Sequence, residues 1–400
     1  MKIGIDTPNF HGRIADMVLV DRPYYLRRLE TAVRRSPITA IVGPRQCGKT
    51  TLARLFEKGK QATHFDLESP SDARRLQNPE LMLSGLDGFV VLDEIQAIPS
   101  LFNVLRVLVD RQDNPARFII LGSASPDLVK NASETLAGRV EFIELSGFNL
   151  MEAGVDALKK RWLRGGFPRS FLADSDEDSV AWREGFIRTF LQRDIPQLGI
   201  TIPSAAMRRF WTMLAHYHGQ IWNASEFARS MGLTGKTVRS YLDILTGTFM
   251  VRQIQPWHEN ISKRQVKSPK IFLRDSGILH SLLSVSDDHA LWGHPKVGAS
   301  WEGFALEQTL QAIRPPEAFF WATHQGAEID LFFVARGRRY GVEFKMSEAP
   351  AATRSMHIGV RDLNLKHLWI VYPGEHAYPV EENISVLPLS QIDSIAEFVN

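Results

Sequence analysis

Gly43-Pro44-Arg45-Gln46-Cys47-Gly48-Lys49-Thr50 follows the apolar run Ile38-Thr39-Ala40-Ile41-Val42 and has the residue types and spacing of a phosphate-gripping loop. Its glycines let successive backbone N–H groups turn toward phosphate oxygens, the Lys49 ammonium supplies a point charge near the β and γ groups, and the Thr50 hydroxyl suits magnesium. Thr51 then opens a helical pattern that runs through Leu52, Ala53, Leu55 and Phe56. ATP and Mg2+ are the ligands this loop predicts. Turnover needs a second carboxylate-bearing strand, and Phe89-Val90-Val91-Leu92-Asp93-Glu94 supplies one. Asp93 would orient the metal through water, while Glu94 would position or activate the water that attacks the γ-phosphate. A third apolar run, Phe118-Ile119-Ile120-Leu121-Gly122, delivers Ser123 to the same sheet edge as a γ-phosphate sensor, with Ser125 as its neighbour and competitor. Arg139, just before the strand pattern Val140–Leu145, is placed to reach the γ-phosphate of a neighbouring subunit as an arginine finger, the alternative being an ion pair with Glu141 or Glu144.

A second chemical constellation lies near the carboxyl terminus. Ala327–Val334 is an apolar strand with Asp330 in its middle, and Tyr340–Lys345 is another, separated by the turn-like Arg336-Gly337-Arg338-Arg339. Glu343 and Lys345, two residues apart on a strand, project to one face. Buried charges of this kind are costly unless they meet a metal or substrate. Asp330 and Glu343 holding magnesium, with Lys345 stabilising a pentavalent phosphate, is the arrangement of a metal-dependent phosphodiesterase. The helical stretch Trp301–Leu310 offers one more carboxylate. At about 100° per residue Glu302 shares the arc of Trp301, Ala305 and Leu306, whereas Glu307 falls with Gln308 and Gln311, so Glu302 is the site candidate.

These groups need scaffolds. A chain of 400 residues with 44% hydrophobic content builds two or three cores. Alternating strands and helical segments over the first third predict a doubly wound parallel sheet. The stretch 151–205 reads as helices, with Trp182, Phe186, Ile187 and Phe190 as a core stripe. Ser225–Met231, stopped by Gly232, and Thr237–Leu245 read as a helix-turn-helix, and the alternating Phe249–Ile254 would complete a winged helix. There Lys236 and Arg239 would face a DNA groove while Lys263, Arg264 and Lys267 meet phosphates. The net charge of +2 excludes a global electrostatic field for nucleic acid, leaving such local clusters. The single cysteine, Cys47, rules out an intramolecular disulfide, and no apolar run of about 18 residues could span a bilayer, which predicts a cytoplasmic protein without a membrane partner.

Taken together, GPRQCGKTTL, VVLDEIQ, IILGSAS, LAGRVEFIEL, LRGGFP, the Arg193-Asp194 pair, TGKTVRSYLDIL, SPKIFLRDSGIL, AEIDLFF and GVEFK resemble a prokaryotic ATPase family in which an AAA domain precedes a domain of unknown function, DUF4143. The resemblance runs nearly end to end. It implies a P-loop ATPase with a winged helix and a restriction-endonuclease-like module of the PD-(D/E)XK type, and magnesium and DNA as ligands. The hairpin spacing also resembles archaeal Holliday-junction resolvases. Leu121-Gly122-Ser123 departs from the more usual Thr-Gly-Ser of the sensor strand.

The expected organisation is an N-terminal segment (1–35), a P-loop AAA-type ATPase domain (36–150), a helical lid or connector (151–205), a winged helix (206–285) and a nuclease-like α/β domain (286–400). The expected function is ATP hydrolysis by a homo-oligomer, coupled to a module that binds and can cleave DNA. The competing reading is an ATP-gated regulator or scaffold whose nuclease-like domain binds DNA or protein without cutting.

Overall fold

A computed structural model describes residues 20–112, 115–123, 132–258 and 266–399. Ser125, Lys263 and Arg264 lie outside the described residues. Ile38-Thr39-Ala40-Ile41-Val42-Gly43 is apolar on both faces, and it forms β1 (Ile38–Gly43), buried along its whole length as a strand covered on two sides must be. Around it lie β2 (Ala62–Asp66), β3 (Gly88–Asp93), β4 (Ala116–Ser123) and β5 (Val140–Glu144), in the order β2-β3-β4-β1-β5. Neighbours pair in parallel throughout. Alternation along the strands sends Ile41, Val91, Ile119 and Leu121 to one core with Leu29, Leu52 and Phe56 of the helices Pro23–Arg35 and Lys49–Glu57. Ala40, Val90, Leu92 and Ile120 go to the other, with Leu101, Leu105 and Leu108 of the helix Leu101–Val109. Because β4 lies between β1 and β3, the ends of all three strands meet at one edge, where Gly43 is in register with Ser123.

The helices of 151–205 share the core of Ile41 and are joined to one another and to Trp211 by an aromatic ladder. Phe167, Trp182, Phe186, Phe190 and Trp211 follow one another at centroid distances of 5.6, 5.4, 6.1 and 5.3 Å, contacts worth about 0.5–1.5 kcal/mol each beyond their buried area. The helix Asp176–Thr189, capped by Ser175, runs directly into a π-helical turn at Phe190–Asp194. The extra residue of that turn rotates the chain beyond it, and such turns concentrate at functional sites. Two stretches distant in sequence meet nearby: in LRGGFP, Gly165 has φ +79° and a Cβ there would lie 2.2 Å from Asp275 of LRDSGIL. Asp275 also accepts the Gly166 N–H at 2.7 Å and caps the helix Ser276–Leu282.

The middle segment contains the helices Ala224–Met231 and Gly235–Gly247, separated by Gly232 at φ +68° and capped by Asn223 and Thr234. They are joined to β6 (Gln220–Ile221), β7 (Val251–Pro256) and β8 (Lys270–Leu273), an antiparallel set. The carboxyl-terminal segment adds β9 (Phe319–Ala322), β10 (Glu328–Ala335), β11 (Arg338–Phe344), β12 (His367–Tyr372), β13 (Tyr378–Glu381) and β14 (Ile384–Pro388). β7 pairs in parallel with β9, so these strands form one nine-stranded sheet that crosses the expected boundary at 285. The hairpin β10–β11 turns at Arg336 and Gly337, both with positive φ.

The long helix Val297–Ile313 corrects the sequence reading of its faces. Glu307 and Gln308, expected on a polar side, are 2% and 3% exposed. The helix is surrounded by the sheet and the middle helices, so burial does not follow its periodicity. Two of its buried polar groups take distant partners: Glu307 pairs with Arg252, and the Gln308 side-chain oxygen accepts the Leu150 N–H.

Candidate functional site

The phosphate loop is shaped by Gln46 and Gly48, at φ +62° and +100°, conformations that a glycine adopts at little cost. Lys49 begins the helix Lys49–Glu57, and its ammonium donates to the carbonyl oxygens of Gly43 and Pro44 at 3.1 and 2.9 Å. Thr50 Oγ1 donates to Asp93 Oδ2 at 2.7 Å. Adjacent ligands of an octahedral magnesium ion stand about 3 Å apart, so this hydroxyl and carboxylate fit that ion. Burial pushes the Asp93 carboxyl up, against the hydrogen bond from Thr50, which marks a site where a cation would be welcome. Glu94 sits at φ +57°, a strained setting for a non-glycine residue, and Gln96 donates to its Oε2. A cavity of about 320 Å3 is lined by Lys49, Thr50 and Glu94 together with Phe148, Arg169 and Leu172.

Sequence reasoning missed the groups that hold this loop. Arg22, 3% exposed, makes a bidentate pair with Glu152 at 2.7 and 3.0 Å and donates to the carbonyl of Cys47 at 3.1 Å. Arg45 of the loop pairs with Asp194 at 2.7 Å and Glu68 at 3.5 Å, tying the loop to the π-helical turn. Arg169 adjoins the LRGGFP string, and Asp194 belongs to the Arg193-Asp194 pair, so the signal was adjacency to notable strings. Arg22→Ala is expected to destabilise the protein by about 3–5 kcal/mol, because Glu152 is left buried and unpaired. Urea unfolding followed by tryptophan fluorescence checks this, and an unchanged midpoint overturns it.

The other predicted groups of the ATPase half lie at opposite ends of its sheet. The backbone of Ser123 adjoins Gly43 across β4 and β1. Arg139 precedes β5 at the far end, where its O accepts from the Ile38 N–H, one strand length or about 20 Å from the loop. It pairs with Asp110 at 2.7 Å, and not with Glu141 or Glu144; those carboxylates engage Arg35 and Arg274.

In the carboxyl-terminal sheet, β10 and β11 bring Asp330, Glu343 and Lys345 together, and the helix Val297–Ile313 adds Glu302 alongside. Lys345 Nζ lies 3.1 Å from Glu343 Oε2. A fifth group changes the chemistry. Lys270 of β8, 5% exposed, pairs with Asp330 at 3.0 Å and with Glu328. Burial alone would raise Asp330, but Lys270 and Lys345 outweigh it and hold this carboxyl down to about 2. Glu302, raised to about 7 by burial and the neighbouring Asp330, and Glu343, raised well above its ordinary value by the same two causes, are the proton-holding members. One Asp330 oxygen takes Lys270 and the other the Phe344 N–H at 3.2 Å. Among the described residues no three His, Cys, Asp or Glu side chains are grouped to hold a metal ion. In this arrangement Lys270 and Lys345 pair with Asp330 and Glu343, the two carboxylates expected to hold magnesium.

A parallel sheet whose β1 ends in a phosphate loop, with a carboxylate at the end of β3 touching the loop threonine, defines an AAA-type P-loop ATPase fold, and residues 35–154 match the family described as AAA domain. Residues 155–289 match a domain of unknown function, DUF8612, and residues 297–392 match another, DUF4143. The chain belongs to the same family as the uncharacterized proteins Rv2008c of Mycobacterium tuberculosis and Mb2031c of Mycobacterium bovis, each 53% identical over 381 residues that cover 95% of this chain and 86% of theirs. Among solved structures, the Walker-type ATPase PABY2304 of Pyrococcus abyssi is similar over 66% of this chain and 96% of its own, at 13% identity and a TM-score of 0.47. Among the described residues no helix is long and apolar enough to cross a membrane.

Proposed function

We propose that this protein binds ATP with magnesium at residues 43–51 and hydrolyses it, and that nucleotide state is transmitted to a DNA-binding carboxyl-terminal half. The observation that carries the first part is the 2.7 Å contact between Thr50 and Asp93 beside Lys49 and Glu94. Lys49 and the loop amides would hold the phosphates, Thr50 and Asp93 the ion, and Glu94 would accept the proton of the attacking water. Magnesium would supply charge neutralisation at the β and γ oxygens. Ser123 would sense the γ-phosphate from the strand between. Arg139 lies far from its own loop, so a part in turnover requires a neighbouring subunit in a homo-oligomer. Calorimetric titration of ATP with magnesium into the purified chain tests the reading, and absence of affinity for adenine nucleotides overturns it.

The DNA-binding part is supported by a groove of about 1330 Å3 lined by Lys236, Arg239, Lys267, His258 and His324 together with Tyr217 and Trp222, and by no carboxylate among the described residues. Cations interleaved with aromatic rings suit a phosphate backbone with stacked bases. Lys236→Glu with Arg239→Glu is expected to weaken DNA binding at least about tenfold and to lower the salt slope by about 2. Fluorescence anisotropy at several salt concentrations reads both, and unchanged affinity favours a packing role for this segment. For the nuclease-like cluster we favour binding without cleavage in the present arrangement, because Lys270 supplies internally the positive charge that a metal would bring.

A further inference from the structure

A second cavity, of about 370 Å3, lies where the ATPase sheet, the middle segment and the carboxyl-terminal segment meet. Four guanidinium groups line it: Arg28 from the helix Pro23–Arg35, Arg252 from β7, Arg274 just after β8, and Arg314 at the end of the helix Val297–Ile313. Among the described residues two carboxylates form ion pairs with them, and Asp393 also acts on Arg314 from farther off. Glu307 takes Arg252 in a bidentate pair and stands 3.8 Å from Arg274, and Glu144 takes Arg274. Arg28 and Arg314 make no ion pair within 4 Å among the described residues. Arg28 has one long bond, 3.4 Å, to the Phe142 carbonyl. Arg314 lies 3.3 Å from the centre of the Tyr24 ring, and its Nη2 is buried without a hydrogen-bond partner among the described residues. Two arginines without an ion pair, one of them with an orphaned donor, are costly to leave in a half-enclosed cavity, and planar guanidinium forks match phosphate oxygens in pairs.

We propose that this junction cavity binds a compact, multiply charged anion of the pyrophosphate class, such as the phosphate moiety of a phosphorylated small molecule. The anion bridges Arg28 of the ATPase half to Arg314 of the carboxyl-terminal half, so its binding fastens the two together independently of the nucleotide loop. The volume suits a small ligand.

The test is calorimetric titration of sodium pyrophosphate, with EDTA present, into the full chain carrying Lys49→Ala, which disables the loop as a competing site. Saturable binding of one anion per chain is expected. Arg28→Gln with Arg314→Gln on that background should weaken it at least tenfold, while Arg338→Gln with Lys366→Gln, a distant basic pair, leaves it intact. If the double variant unfolds by circular dichroism, Arg28→Gln alone, a side chain already in contact with solvent, should still weaken binding. No binding by the Lys49→Ala chain, equal binding after the arginines are removed, or an equal loss in the distant pair overturns the proposal.

Discussion

Glu94→Gln is expected to leave ATP bound and to lower its turnover about 10²–10⁴-fold, the range for a positioned general base. Gln keeps the size of Glu94 and can still accept from Gln96, but it cannot take a proton from water. Lys49→Ala should act one step earlier, because the ammonium lost is the charge at the phosphates. A loop without it loses affinity as well as about 10²–10³-fold in rate, comparable with removal of a single preorganised donor. The Lys49 ammonium rests on the carbonyls of Gly43 and Pro44, so phosphate oxygens would replace partners of the same polarity and the loop need not be rebuilt. Phosphate release at saturating ATP, paired with calorimetric nucleotide binding, separates the two variants. Turnover like that of the parent in either one removes the assignment of that residue.

The second large effect is expected at Lys270. Lys270→Met removes the buried cation that Asp330 and Glu328 share, leaving carboxylates in the carboxyl-terminal sheet with Lys345 as their remaining close cation. Breaking one side of a buried pair costs about 3–5 kcal/mol, so at pH 7.5 the variant should unfold at clearly lower urea concentration. The pH dependence arises from the same groups. Asp330 is held down to about 2, so its contribution in the parent is complete above the ordinary carboxylate range and is lost as the pH falls through 2. Glu302 has the opposite sense. Raised to about 7, it favours folding most fully below 4.5, and about 3 kcal/mol is given up as the pH rises from there through 7. In Lys270→Met, Asp330 loses its main counter-charge and should join Glu302 in favouring the protonated form. The variant should therefore recover stability toward pH 5, and millimolar magnesium or manganese should restore part of it at pH 7.5. Urea midpoints that match the parent at every pH, with no response to either ion, would mean that Lys270 is not the charge that closes this cluster.

The residues alone dictate the local chemistry of the ATPase half. A phosphate loop is written in consecutive residues because its function is carried by backbone amides, two glycines and a lysine on one turn, and the apolar runs around it have no alternative to buried parallel strands. The hairpin carrying Asp330 and Glu343 was legible for a similar reason: period-two alternation and a short polar turn fix its faces. The surroundings of these groups come from packing in three dimensions. Lys270 stands 60 residues before Asp330, and Arg22 stands 130 before Glu152, separations across which no spacing rule acts. Glu307 shows the same limit within a helix, since its periodicity placed it outward while packing on every side enclosed it with Arg252. The continuous nine-stranded sheet joins segments that composition separates, because backbone pairing between β7 and β9 leaves no trace in side-chain type. Long-range charge pairing and sheet continuity depend on where the chain returns in space, and that is set by the summed packing of the whole molecule.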